Sequence, residues 1–279
     1  MLGQYLLAFR EVFEAALITS IILVFFAKTG RKHLNKYVWI GVAIAIATST
    51  IIALFLWFIY GGLSDKNSKL FEGIAGLLAV AVLTSMILWM AIKGQRLKSE
   101  IELKVEIASK NKTMIGIVFL AFAVVFREGL ETVLFLTPYW IDDLGGTLFG
   151  GGLGLLSALA ISVGVYKLGI KFDIKKLFYF TSILLILVAA GLAGYAVHEL
   201  LEYLQLLGID TGWFGSIAFD LQLDKGSLLH HKGAIGSIFA VMFGYSSKME
   251  WGRIFIHALY LIIFLPLTIL VYKKPVKNK

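Results

Sequence analysis

The chain has no cysteine in 279 residues and only three prolines. Without thiols there is no disulfide, no thiolate metal site and no cysteine nucleophile. So few prolines leave long helices uninterrupted. Charge is scarce too: 16% of the residues are Asp, Glu, Lys or Arg, where a soluble domain carries about 25%. A chain that cannot wet its surface needs an apolar solvent around it. No Walker-type phosphate loop, dinucleotide fingerprint or His-Glu-x-x-His sequence occurs, so ATP hydrolysis and zinc-peptidase chemistry lack the residues to perform them. The six methionines form no tight cluster for cuprous ion.

What the chain does have is hydrocarbon: 59% of it is hydrophobic and its mean hydropathy is +0.85. Apolar runs at 2–27, 37–60, 70–93, 113–137, 148–168, 177–204 and 251–272 predict seven membrane-spanning helices. Each is long enough to cross about 30 Å of hydrocarbon at about 1.5 Å per residue. The 28 glycines suit close helix–helix contact in lipid. The net charge of +8 comes from basic residues between the runs, a membrane-topology pattern that gives no reason to expect a nucleic-acid partner. Of the interhelical Lys and Arg, 18 fall in one alternating set of segments and six in the other. The positive-inside rule makes the richer set cytoplasmic, with the N-terminus outside and the C-terminus inside. The first basic residue, Arg10, already lies within the first run, so that run is expected to be a retained spanning helix of a multi-pass cell-membrane protein.

The expected fold is an all-α polytopic membrane protein, a single membrane domain over 1–279. Two three-helix repeats, 1–93 and 113–204, are followed by an external loop at 205–250 and a seventh helix at 251–272. The charged stretch 93–112 predicts a short amphipathic helix. The mildly apolar, glycine-rich stretch 233–245 is too short to span and predicts a re-entrant or surface-lying piece. The repeat rests on Arg-Glu-Val-Phe-Glu-Ala-Ala-Leu-Ile at 10–18 and Arg-Glu-Gly-Leu-Glu-Thr-Val-Leu-Phe at 127–135, 117 residues apart. Three spans separate the copies, so they enter the membrane in opposite directions, the inverted plan of many secondary transporters.

At about 100° per residue, Arg10, Glu11 and Glu14 share one helix face, and Arg127, Glu128 and Glu131 repeat the arrangement. Both triplets lie well inside apolar runs, where a charged residue costs about 2.5–3.5 kcal/mol on insertion scales. Four carboxylates against two guanidiniums leave about −2 if all are ionised, and carboxylate oxygens suit hard cations such as ferric iron, magnesium, calcium or manganese. The competing reading is a structural Arg–Glu pair at i, i+4, which accounts for one carboxylate per helix and leaves the duplication unexplained.

These two Arg-Glu-x-x-Glu sequences, with seven predicted spans and an external N-terminus, resemble the oxidase-dependent iron transporters, which include fungal high-affinity iron permeases and bacterial iron permeases. The resemblance implies that Glu11, Glu14, Glu128 and Glu131 bind iron during passage, with Arg10 and Arg127 orienting or balancing them. It implies ferric, or ferrous, iron as the substrate, with no further cofactor, and as partner a separate ferroxidase that supplies ferric iron or an external iron-delivery protein. Transport of another hard or heavy-metal cation, lead included, uses the same carboxylates. An intramembrane di-metal enzyme fits less well, since helical di-iron sites add histidine in a Glu-x-x-His arrangement.

Other polar residues divide between roles. Glu72, His198, Glu199 and Glu202 form a candidate entry site on the outer side, with a wetted helix end as the plainer reading. Asp142, Asp143, Asp210, Asp220, Asp224, His230 and His231 make the external loops acidic, either as ordinary solvated charge or as a cation-attracting vestibule. His257 is expected to be a hydrogen-bonded interior histidine.

Overall fold

The computed structural model describes residues 2–93, 97–110, 114–168, 174–224, 227, 236, 239–240 and 244–273. Among the described residues, long apolar sequence with few helix breakers forms, in chain order, α1 (Leu2–Lys28), α2 (Asn35–Gly61), α3 (Asp65–Lys93), α4 (Leu97–Lys110), α5 (Met114–Asp142), α6 (Leu144–Leu168), α7 (Ile174–Leu206) and α8 (Trp251–Lys273). Their positions match the seven apolar runs and the predicted amphipathic helix to within a few residues. Five of them, α2, α3, α6, α7 and α8, are long and apolar enough to cross a membrane. The chain is thus a multi-pass membrane protein. Helices α1 and α5 are as long, at 27 and 29 residues. They differ in carrying the Arg-Glu-x-x-Glu charges in mid-helix.

Helix ends follow local chemistry. Past α1, Gly30 takes φ +71°, and Arg31 N–H donates to Phe26 O at 2.8 Å. That is a left-handed glycine closing the last turn. Past α7, Gly208 at φ +75° does the same, with Ile209 N–H on Leu204 O. Asp143 Oδ1 accepts from Gly146 N–H at 2.9 Å and caps α6.

Packing is interlaced. α1 lies chiefly on α6, α2 on α5, and α3 on α7, while α1 and α5 cross each other and α8 lies along α7. Small residues set these crossings. A Cβ on Gly41 of α2 would overlap the backbone of Val118 and Phe122 in α5, and one on Gly154 of α6 would overlap the backbone of Tyr5 and Phe9 in α1. On α3, Gly73 and Gly76 admit Leu200 and Ala196 of α7. Gly154→Leu is therefore expected to lower stability by about 1–3 kcal/mol or more, through overpacking against a backbone that cannot yield. A thermal melt of the detergent-solubilised protein checks this, with Gly152→Leu, where a Cβ meets open space, as the control.

One apolar cluster joins Phe9, Phe13 and Ile22 of α1 to Ile101 and Val105 of α4 and Ile117 of α5. Amphipathic α4 thus buries one face on the bundle while Leu103 and Ile107 stay exposed. A second cluster joins Leu83 and Ile87 of α3 to Ile186 and Ala189 of α7 and Tyr260 of α8. Among the described residues, the segment expected as an external loop, 205–250, holds a short 3-10 turn (Gly212–Gly215) and two strands, β1 (Ile217–Asp220) and β2 (Lys248–Glu250), which pair antiparallel. The sequence reading did not anticipate this ribbon, because its strands are three and four residues long and far apart in the chain. The stretch 233–245 falls largely outside the described residues, as do His230 and His231.

Candidate metal centre

The crossing of α1 and α5 brings the two charged triplets together. Arg10 Nη1 lies 2.9 Å from Glu11 Oε1, and Arg10 Nη2 lies 2.7 Å from Glu14 Oε1. In the second copy, Arg127 Nη2 donates to Glu128 Oε1 at 2.7 Å and its Nε stands 3.4 Å from Glu131 Oε1. Each arginine therefore bridges both carboxylates of its own helix. The expectation that the arginine answers only one of them is corrected: i, i+1 and i, i+4 partners both lie within reach of one forked guanidinium. The charge count stays at four carboxylates against two guanidiniums.

The bridging leaves oxygens over. Glu11 Oε2, Glu128 Oε2 and Glu131 Oε2 are enclosed and have no hydrogen-bond partner. Glu11, Glu128 and Glu131 each offer a carboxylate oxygen within 4.8 Å of the others, a spacing one metal ion can span. Glu14 stands outside that trio. Buried carboxylate oxygens are normally paired, so a trio of carboxylates from two helices, each keeping one unpaired oxygen, is a candidate cation site.

The two copies are alike in sequence but not in surroundings. Arg10, Glu11 and Glu14 are at most 2% exposed, whereas the Arg127 side chain is 46% exposed. Helix α3 supports both arginines from one face. Arg10 Nη1 contacts Met86 Sδ at 2.7 Å, and the Arg127 guanidinium lies over the Trp89 ring at 5.4 Å. Sequence reasoning missed Met86 and Trp89. Their i, i+3 spacing puts them on one face of α3, but nothing local says what that face meets. Gly129 inside the second motif has a packing reason, since a Cβ there would overlap Ser49 of α2.

The candidate entry residues gather elsewhere, at the other end of α3. Glu72 is 14 residues from Met86, about 21 Å along the helix. Glu72 accepts from Tyr60 Oη at 2.9 Å and from Tyr195 Oη at 2.7 Å. Lys69 Nζ bridges Glu199 at 2.8 Å and Glu202 at 2.7 Å. His198 Nε2 is 3.5 Å from Glu202, and its Nδ1 is 3.1 Å from Glu250. His198, Glu199 and Glu202 again offer ligand atoms within 4.8 Å of one another. Lys69, Tyr60, Tyr195 and Glu250 were not singled out from sequence, because three of the four lie on elements other than α7. Burial raises the Glu250 carboxyl, but the hydrogen bond and charge of His198 outweigh it and hold the group below its ordinary range.

The remaining candidates have structural work. Asp143 is the α6 cap, while Asp210 and Asp220 accept backbone N–H groups two residues on, as turn residues do. Asp224 is exposed, and the Asp142 side chain is outside the described set. His257 lies half-buried in α8, with its Nδ1 enclosed and without a hydrogen-bond partner among the described residues.

The family model described as the iron permease FTR1 family matches residues 1–272. A protein of unassigned function from Archaeoglobus fulgidus is 41% identical over 96% of this chain and 94% of its own length. The protein named ferrous iron permease EfeU from Yersinia pestis is 34% identical over 99% of this chain and 94% of its own. The protein of that name from Escherichia coli O6:H1 is 32% identical over 94% and 93%. No solved structure matches the chain.

Proposed function

Because this chain belongs to the iron permease FTR1 family, we propose that it carries ferrous iron across the cell membrane through a carboxylate site at the crossing of α1 and α5. The observation that carries this reading is the convergence of Glu11, Glu128 and Glu131 with three enclosed, unpartnered oxygens. Glu14 completes the set as the counter-charge of Arg10, and Arg127 plays that part for Glu128 and Glu131. The balance of about −2 is neutralised by one divalent ion, which favours ferrous over ferric iron on electrostatic grounds. The names of the Yersinia and Escherichia relatives point the same way. The family and these relatives are permeases, and the site is a path for an ion rather than a reaction centre.

In this reading α1 and α5 also cross the membrane, making seven spans with the N-terminus outside. Mid-helix charge is tolerated because Arg10 and Arg127 pair with the glutamates next to them. The inverted repeat draws support from the packing. Exchanging α1 with α5, α2 with α6 and α3 with α7 turns the α1–α6 contact into α5–α2 and leaves α3–α7 as itself. A site at the crossing of the two first helices lies on such an axis. An iron-delivery protein outside the membrane that hands over ferrous iron is the expected partner.

Reconstitution into liposomes with labelled iron tests the proposal. Ferrous iron is expected to enter vesicles holding the wild type and not those holding Glu131→Ala. Entry that the substitution leaves unchanged would overturn the site. Competition by manganese or lead as strong as by unlabelled iron would favour the broader reading of a divalent-cation transporter.

A further inference from the structure

The cluster at the far end of α3 and α7 has a charge balance of its own. Four carboxylates, Glu72, Glu199, Glu202 and Glu250, lie near Lys69, Arg253 and the His198 ring. With a neutral imidazole this leaves about −2, and with a protonated one about −1. Lys66, the next cation along α3, is turned to the Tyr203 ring instead. Both Glu72 oxygens are held by neutral phenols, which satisfy hydrogen bonds without supplying charge.

Two features within the cluster point to a ligand. Glu199, 3% exposed, keeps its Oε2 enclosed, and the Lys69 ammonium 2.8 Å from that same oxygen answers its charge. That ammonium sits on a flexible four-carbon stem and is itself partly exposed, so it can leave. The second feature is the orientation of His198. Its Nδ1 faces Glu250, which leaves Nε2 on the side of Glu202. A carboxylate beside one ring nitrogen orients the other toward a ligand, as in many metal-binding histidines, and Nε2 here makes a long 3.5 Å contact with Glu202.

We propose that His198, Glu199 and Glu202 form a second cation site, for a divalent ion with carboxylate and imidazole ligands, in which the Lys69 ammonium is a tethered counter-ion that the arriving metal displaces. Replacing +1 by +2 brings the cluster nearer to neutrality, and the freed ammonium swings out to water along its own stem. No covalent bond is made or broken. Glu199-x-x-Glu202 thus repeats the carboxylate spacing of the two motifs, with the cation supplied from α3 rather than from the same helix. The inference depends on the permease reading only in taking iron as the ion.

The test is equilibrium binding to the purified full chain in detergent, with manganous ion followed by its magnetic resonance signal and labelled ferrous iron kept reduced. The wild type is expected to bind two equivalents. Changing Glu199→Gln and Glu202→Gln together should remove one, and Glu128→Gln the other. Lys69→Met should tighten the outer equivalent by about tenfold, the worth of removing one competing charge interaction of about 1.4 kcal/mol. Lys69→Arg should weaken it, because a guanidinium grips two carboxylates in a fork. Should Lys69→Met not accumulate, Lys69→Arg still decides. A stoichiometry indifferent to the Glu199/Glu202 pair, or an affinity indifferent to residue 69, would overturn the proposal. If Glu128→Gln leaves transport intact while the outer equivalent persists, the motif reading fails and this one stands.

Discussion

Glutamine in place of Glu128 is expected to reduce ferrous iron uptake by about 30- to 1,000-fold, the equivalent of about 2–4 kcal/mol for a buried charged ligand lost without change of shape. Glu11→Gln and Glu131→Gln should fall in the same range, because all three contribute an oxygen to the trio. Glu14→Gln should cost less, since Glu14 balances Arg10 and stands apart from the other three. Initial rates of labelled iron entry into proteoliposomes, normalised to folded protein, separate the cases. Equal losses at all four positions would show that the copies act as two symmetric pairs, and the three-ligand arrangement would then be wrong.

The second large effect is on stability, and it sets the two arginines apart. Arg10→Leu leaves Glu11 and Glu14 without a counter-charge in a site closed to solvent. Removing one partner of a buried ion pair typically costs about 3–5 kcal/mol, because the stranded charge cannot be rehydrated. The chain should then melt far below the wild type or fail to accumulate. Arg127→Leu removes a side chain that is 46% exposed and strands Glu131, 14% exposed, beside the buried Glu128, so water reaches one of the two stranded carboxylates and the loss should be smaller. Adding Glu11→Gln to Arg10→Leu should recover part of the loss, whereas Glu128→Gln should add little to Arg127→Leu. Melting curves of the detergent-solubilised variants check both statements. Equal destabilisation by Arg10→Leu and Arg127→Leu would contradict the asymmetry.

Much of this molecule can be read in one dimension, and the reason is the solvent. Hydrocarbon demands long, unbroken apolar helices, so the runs at 37–60 and 251–272 became α2 and α8 with boundaries almost unchanged. Charge inside such a run is costly, which is why Arg10, Glu11 and Glu14 stand out without any structure. What the sequence could not reveal depends on which faces meet. The support of Arg10 by Met86, the bridge from Lys69 to Glu199 and Glu202, and the pairing of β1 with β2 all join residues on separate elements. Neither the helical period nor the spacing of charges along one helix encodes those encounters. The inequality of Arg10 and Arg127 is hidden for the same reason. Identical motifs acquire different environments only when neighbouring helices close over one and leave the other half open.

The crossed packing of the halves also bears on how the chain is made. Helix α1 rests on α6 and α2 rests on α5, so the first three helices have few lasting partners among themselves. During synthesis the segment up to Lys110 is finished before either partner exists, with the Arg10 triplet already committed to lipid or to the insertion machinery. Two separately expressed pieces, cut between α4 and α5, would have to find each other in the bilayer before α1 and α2 met their partners, and the Arg10 and Arg127 triplets would come together only at that moment.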